Sequence, residues 1–116
     1  MIFDDVKARV FAGAAFLDAA LGTKWTKKVD AERLAISNGE ACILGQVFGD
    51  YSYGIDELEL IDADGNSLTM ARTLGFEQDK DNAVTYDLLD QEWKKLLRNR
   101  KRQATRKKHT LRVPIV

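Results

Sequence analysis

Val6, Val10, Ala14, Leu17 and Leu21 recur at steps of three or four residues, the spacing that lines one face of an α-helix, and Gly22 follows where such a helix would stop. Tyr86, Leu89, Trp93, Leu96 and Leu97 repeat the pattern near the other end of the chain. Two amphipathic helices at opposite ends of 116 residues leave little choice of fold class, because each apolar stripe must be covered by the other or by what lies between them. The chain is expected to be mainly α. Asp4 and Asp5 offer an N-cap to the first helix and Thr85 to the last, whose early acids and late bases suit the helix dipole. Phe11 and Phe16 lie off the first stripe and are read as widening its buried face.

Between these helices, Asp30 can cap a short helix through Leu34, ahead of the turn signal Ser37-Asn38-Gly39. Residues 41–49 are the most apolar stretch and read as a buried central helix, with Gly45 and Gly49 admitting another backbone or ending the helix. Asp50-Tyr51-Ser52-Tyr53-Gly54 reads as a polar, aromatic loop. Over 58–70 a small β-hairpin, turning at Asp62-Ala63-Asp64-Gly65-Asn66, competes with a helix over 68–74 capped by Ser67, and the helix is favoured. The expectation is one compact domain of four or five helices. Its first and last helices wall in the 41–49 segment, and Trp25 belongs to the core.

Cys42 is the lone cysteine, so no intramolecular disulfide can form and no cysteine-rich zinc site can be built. In an apolar run its thiol is a small core side chain rather than a nucleophile. No apolar run approaches the roughly 20 residues a membrane span needs, and the N-terminus lacks the pattern of a secretory signal. A cytoplasmic protein is expected.

Cys42-Ile43-Leu44-Gly45-Gln46-Val47-Phe48-Gly49-Asp50-Tyr51 resembles a core, C-x-L-G-Q-[VL]-[FY]-G-[DE]-Y, of small uncharacterised proteins from actinobacteria and their phages. The similarity extends to Phe16-Leu17-Asp18, Trp25, Val29-Asp30, Leu74-Gly75-Phe76, Tyr86 and Trp93. It implies a source, with the host cytoplasm as the location if the source is a phage, and a compact helical fold. It implies no activity.

The inventory for catalysis is thin. His109 is the sole histidine and lies in a basic run, so a histidine-dependent nucleophilic centre has poor support. Asp62-x-Asp64-Gly65-Asn66 loosely matches a calcium loop, but Ser67 and Thr73 stand where that loop needs glycine and glutamate. A turn is the better reading. No glycine pattern for cradling phosphate occurs. The expectation is a binding protein rather than an enzyme, with no cofactor or metal.

The strongest functional signal is charge. Residues 1–93 hold all 18 acids and eight bases, a net charge of −10, whereas residues 94–116 hold ten bases and no acid. The chain therefore reads as an acidic helical domain over 1–97 and a basic C-terminal arm over 98–116. Clustered Lys and Arg bind phosphate backbones by releasing condensed counterions, so Arg98, Arg100, Lys101, Arg102, Arg106, Lys107 and Lys108 are the candidate contacts to nucleic acid or a nucleoprotein. The arm has no interleaved aromatics, which favours backbone contact over base stacking. Its other readings are an acidic protein surface as partner, a solvated helix end, or pairing with the chain's own acidic body. A different class of function is an inhibitor or modulator of a host protein, such as an anti-defence factor, with the acidic body in a basic groove and Tyr51 and Tyr53 as anchors. A third is a minor virion or assembly component, with Leu111–Val116 docking as a strand on a partner.

Overall fold

The computed structural model describes residues 2–61, 65, 67–79 and 83–110, with side chains at all of these except 2–4, 67 and 105–110. Among the described residues there are five α-helices, α1 (Ile2–Leu21), α2 (Ile43–Phe48), α3 (Tyr51–Glu57), α4 (Ser67–Thr73) and α5 (Tyr86–Thr110), and one 3-10 helix, Thr23–Lys28. None of these residues forms a strand, and the nearest approach is an isolated antiparallel bridge between Asp79 and Val84. The mainly helical expectation holds.

The first stripe performs as its spacing requires. Val6, Val10, Ala14 and Leu17 are buried against α5 and α4. Three details differ from the sequence reading. α1 begins at Ile2, so Asp4 and Asp5 lie inside its first turn, where Asp5 pairs with Arg9 at 3.4 Å instead of capping the helix. Phe16 joins the core from its edge, but Phe11 is 53% exposed beneath the Lys7 ammonium. Leu21 is exposed as well, because Gly22 turns the chain and Trp25 folds back in its place, its indole reaching Asp18.

The expected helix after Asp30 is not formed. Asp30 Oδ1 accepts from Glu32 N at 2.9 Å, an Asx turn, and residues 30–34 close two successive single turns. The Gln46 side chain holds that turn from outside, accepting from Asp30 N at 2.6 Å and donating to Asp30 O at 3.2 Å. The chain must then cross to α5, where Ile36 N donates to Asp90 Oδ1 at 2.7 Å, and a longer helix would miss that contact.

α2 buries Ile43, Leu44 and Gly45. A Cβ at Gly45 would stand 2.3 Å from the Gly39 carbonyl oxygen, so the close backbone approach foreseen from its glycine is real. Cys42 caps this helix, its Sγ accepting from Gly45 N at 3.2 Å, and burial pushes its thiol pKa up. The Asp50–Gly54 stretch is a helix and not a loop. Gly49 ends α2 in the left-handed region, and Asp50 Oδ2 accepts from Ser52 N at 3.0 Å to start α3 at once.

The hairpin alternative over 58–70 also fails. Glu59 sits in the left-handed region at φ 54°, and Leu60 N returns to Ile55 O at 3.0 Å. This helix-ending turn breaks the alternation of Leu58-Glu59-Leu60-Ile61, and the following element is α4, close to the favoured 68–74 helix.

The centre of the core is Trp93 on α5. Its ring stacks on Phe76 at 5.8 Å, meets the edge of Trp25 at 6.3 Å, and its Nε1 donates to Gly75 O at 2.7 Å. α1 closes over this group at Gly13, where a Cβ would lie 2.0 Å from the Leu74 carbonyl oxygen and 3.1 Å from the Trp93 ring. Only glycine permits that approach.

Candidate nucleic-acid interface

α5 runs from Tyr86 to Thr110 without a break, so the boundary at 97/98 drawn from charge falls inside a helix. Its character changes there all the same. Leu89, Trp93, Leu96 and Leu97 are buried, while Arg98 and Asn99 are exposed, and so are all of Lys101, Arg102, Gln103 and Ala104. Four consecutive exposed residues cover a full helical turn, so no face of that turn is packed over. Lys95, Arg98 and Arg102 follow one another at three- and four-residue steps, on the side of the helix away from the Leu89, Trp93 and Leu96 seam. Backbone register gives Arg106 the next place in that row.

Arg100 stands apart from the other bases. Its guanidinium forms a fork on Asp18, Nη1 to Oδ1 and Nη2 to Oδ2 both at 2.8 Å, and lies 5.6 Å from the centre of the Trp25 ring. Trp25 Nε1 also donates to Asp18 Oδ1 at 2.8 Å. Both charged side chains are less than a third exposed, at 28% and 27%. This is the strong form of ion pair, two parallel charge-assisted hydrogen bonds with an aromatic floor. It ties α5 to α1 one turn beyond the core. Arg98 also pairs inward, with Glu32 at 3.3 Å, but Glu32 is 82% exposed and such surface pairs contribute little. The intramolecular reading of the arm thus describes Arg100 well and Arg98 weakly.

Around Arg100, α5 faces the end of the 3-10 helix and the segment after it across a cleft of about 680 Å³. Lys27 and Asp30 face Arg98, Lys101 and Ala104 across it. Sequence reasoning passed over Lys27, together with Lys24 and Lys28, because they sit in an acidic body. The available signal was three lysines within five residues. All three are exposed, and Lys27 lines the cleft opposite α5.

The two tyrosines proposed as anchors part company. Tyr53 is 54% exposed, edge-on to Phe48 at 6.5 Å. Tyr51 is half-buried with its hydroxyl inside the protein, and burial pushes its pKa up. Nearby, the Tyr86 hydroxyl donates to Glu77, and burial followed by that carboxylate pushes it up to about 12. The side chains of Arg106, Lys107, Lys108 and His109 lie outside the described ones, as do the Asp62–Asp64 turn, Asn66 and the Leu111–Val116 tail. Among the described residues no group of three or more His, Cys, Asp or Glu is placed to hold a metal ion, and no helix is long and apolar enough to cross a membrane.

The Asp18–Arg100 fork makes the arm's anchoring depend on pH. The Arg100 hydrogen bonds hold the Asp18 carboxyl below its ordinary value, against an opposing push from burial, and the Trp25 indole adds to the lowering. A depressed carboxylate stabilises the fold above its unfolded pKa and loses that contribution as pH falls through the folded one. Asp18→Asn is therefore expected to lower stability by about 1–3 kcal/mol at neutral pH. That difference from the parent should close as pH drops below about 4. Asp90, pushed up by burial, acts in the opposite direction in both proteins and cancels from the comparison. Urea melts of the two proteins across a pH series measure the effect, and a gap that persists at low pH would show that Asp18 acts through packing alone.

Fold and charge together define a helical body whose last helix carries a cationic segment beyond the core. Comparison with family models, with curated proteins and with solved structures yields no match.

Proposed function

We propose that this is a binding protein of the phage or actinobacterial kind whose basic C-terminal helix contacts nucleic acid or a nucleoprotein. The observation that carries the reading is the Lys101–Ala104 turn, exposed on every face within a run that contains no acid from Lys94 to the C-terminus. Arg98 and Arg102 supply cations on the same run, with Arg106, Lys107 and Lys108 beyond them. Arg100 positions the helix and does not contact phosphate. Association is governed by charge, so it is fast and strongly salt-dependent.

Recovery of the tagged protein from its host at low ionic strength, with and without nuclease, tests this. Nucleic acid should travel with the protein and disappear on nuclease treatment or at high salt. Protein that comes through free of nucleic acid, with partners that survive nuclease, would overturn it.

A second reading, an inhibitor or modulator acting through the acidic body, is favoured by the exposed Tyr53 ring beside Phe48. Tyr53 rather than Tyr51 is then the anchor.

A further inference from the structure

An α-helix with its side chains is about 10–12 Å across, and the 13 residues of α5 after Leu97 span about 20 Å. The major groove of B-form DNA is about 12 Å wide and admits such a rod, whereas its minor groove of about 6 Å does not. The deep, narrow major groove of an RNA duplex excludes it too. The cations are spread over more than one side of this rod. Arg98 and Arg102 share one face, with Lys101 about 60–100° to one side of them and Asn99 about 60–100° to the other, so the row can face a groove floor with a polar side chain toward each wall. Arg98 and Arg102 are exposed one turn apart on the side of α5 turned away from the body, and a guanidinium pairs bidentately with the O6 and N7 edge of guanine. No aromatic residue follows Trp93, so the segment offers nothing on which unpaired bases could stack. The Arg100 fork on Asp18 sets the angle at which the helix leaves the body, and Lys27 stands across the cleft from it.

Building on the nucleic-acid reading, we infer that the ligand is double-stranded DNA, with α5 beyond Leu97 lying in the major groove and Lys27 meeting a flanking phosphate. Base edges are then faced by Arg98 and Arg102, with Lys101 toward the phosphates of one wall, the same side as Lys27, and Asn99 toward those of the other. The acidic body is held to one side of the duplex.

The test uses the full chain and four probes of equal length and salt: a DNA duplex, its single strand, an RNA duplex and heparin. Titrations followed by fluorescence anisotropy should show the DNA duplex bound roughly tenfold or more tightly than the single strand or the RNA duplex. Ala104→Pro keeps every charge but breaks the exposed helix. It should weaken duplex binding roughly 10- to 100-fold while sparing heparin. Ala104 is exposed, so the melting temperature reports whether the body is intact. Should it fall, the milder pair Gln103→Gly and Ala104→Gly replaces the proline, with the same ordering expected. Lys27→Gln should reduce the salt slope on duplex DNA by about one. Equal affinity for all four probes, or a proline variant that binds duplex as before, overturns major-groove binding and leaves the charge-driven reading standing. Failure to bind any probe, heparin included, overturns both.

Discussion

Replacing Lys101, Arg102, Arg106, Lys107 and Lys108 together by glutamine is expected to abolish nucleic-acid binding at physiological salt and to leave the melting temperature almost unchanged. The parent protein sets the scale. If about five of its bases reach phosphates, the logarithm of its binding constant falls against the logarithm of salt with a slope of about −4 to −5. Between 50 and 200 mM salt that slope is a loss of roughly 250- to 1,000-fold. The variant removes those contacts, and its residual slope should approach what Arg98 and the lysines of the 3-10 helix supply. Stability is spared for two reasons. Lys101 and Arg102 are exposed, and exposed charges contribute little. Glutamine is also a good helix former that relieves like-charge repulsion between bases a turn apart. Arg100 is kept in this variant, because its loss would detach α5 from Asp18 and Trp25. A variant that melts early yet binds duplex DNA as tightly as the parent would place these side chains against the acidic body and end the nucleic-acid reading.

The largest stability effect is expected from Trp93→Ala, at about 3–5 kcal/mol. Trp93 is wholly buried, stacked on Phe76, edged by Trp25 and bonded to the Gly75 carbonyl. Truncation removes the packing around Phe76 and Trp25 and takes away the donor to the buried Gly75 carbonyl oxygen. Gly13 brings α1 so close to the Leu74 carbonyl that α1 and α4 are already in contact there and cannot collapse into the space left behind. In a domain with a total stability of about 5–15 kcal/mol this is a large fraction, and the melting temperature should fall by roughly 10–20 °C. Calorimetry measures it. A drop of only a degree or two would mean that the indole is not the centre of the core.

Much of this protein could be read from its sequence because the signals were local. The three- and four-residue steps of Val6 to Leu17 and of Leu89 to Leu97 are set by helical geometry alone, so both long helices were legible, as was the buried segment around Ile43 and Leu44. The segregation of charge at Lys94 is a property of composition and needs no coordinates. What the sequence could not decide depended on residues far apart in the chain. Asp30 has the chemistry of a helix cap, but Gln46 and the crossing to Asp90 hold it in a turn. Asp50 looked like part of a loop until Gly49 closed α2 ahead of it and freed its carboxylate to start α3. Glu59 reads as one place in an alternating strand, and only its left-handed backbone shows that a helix ends there. Tyr51 and Tyr53 are alike in sequence, and packing alone sends one hydroxyl inward and leaves the other ring exposed. Among the arm's bases helical register sets Arg100 apart from Arg98 and Arg102, but it does not name the partner that Arg100 meets. Its position on the body-facing side of α5, one turn past Leu96 and Leu97, brings its guanidinium to an aspartate 82 residues away. Side-chain type and spacing determine which surface a helix can bury, but which charge becomes a structural tie is decided by the partner that the tertiary fold carries to it.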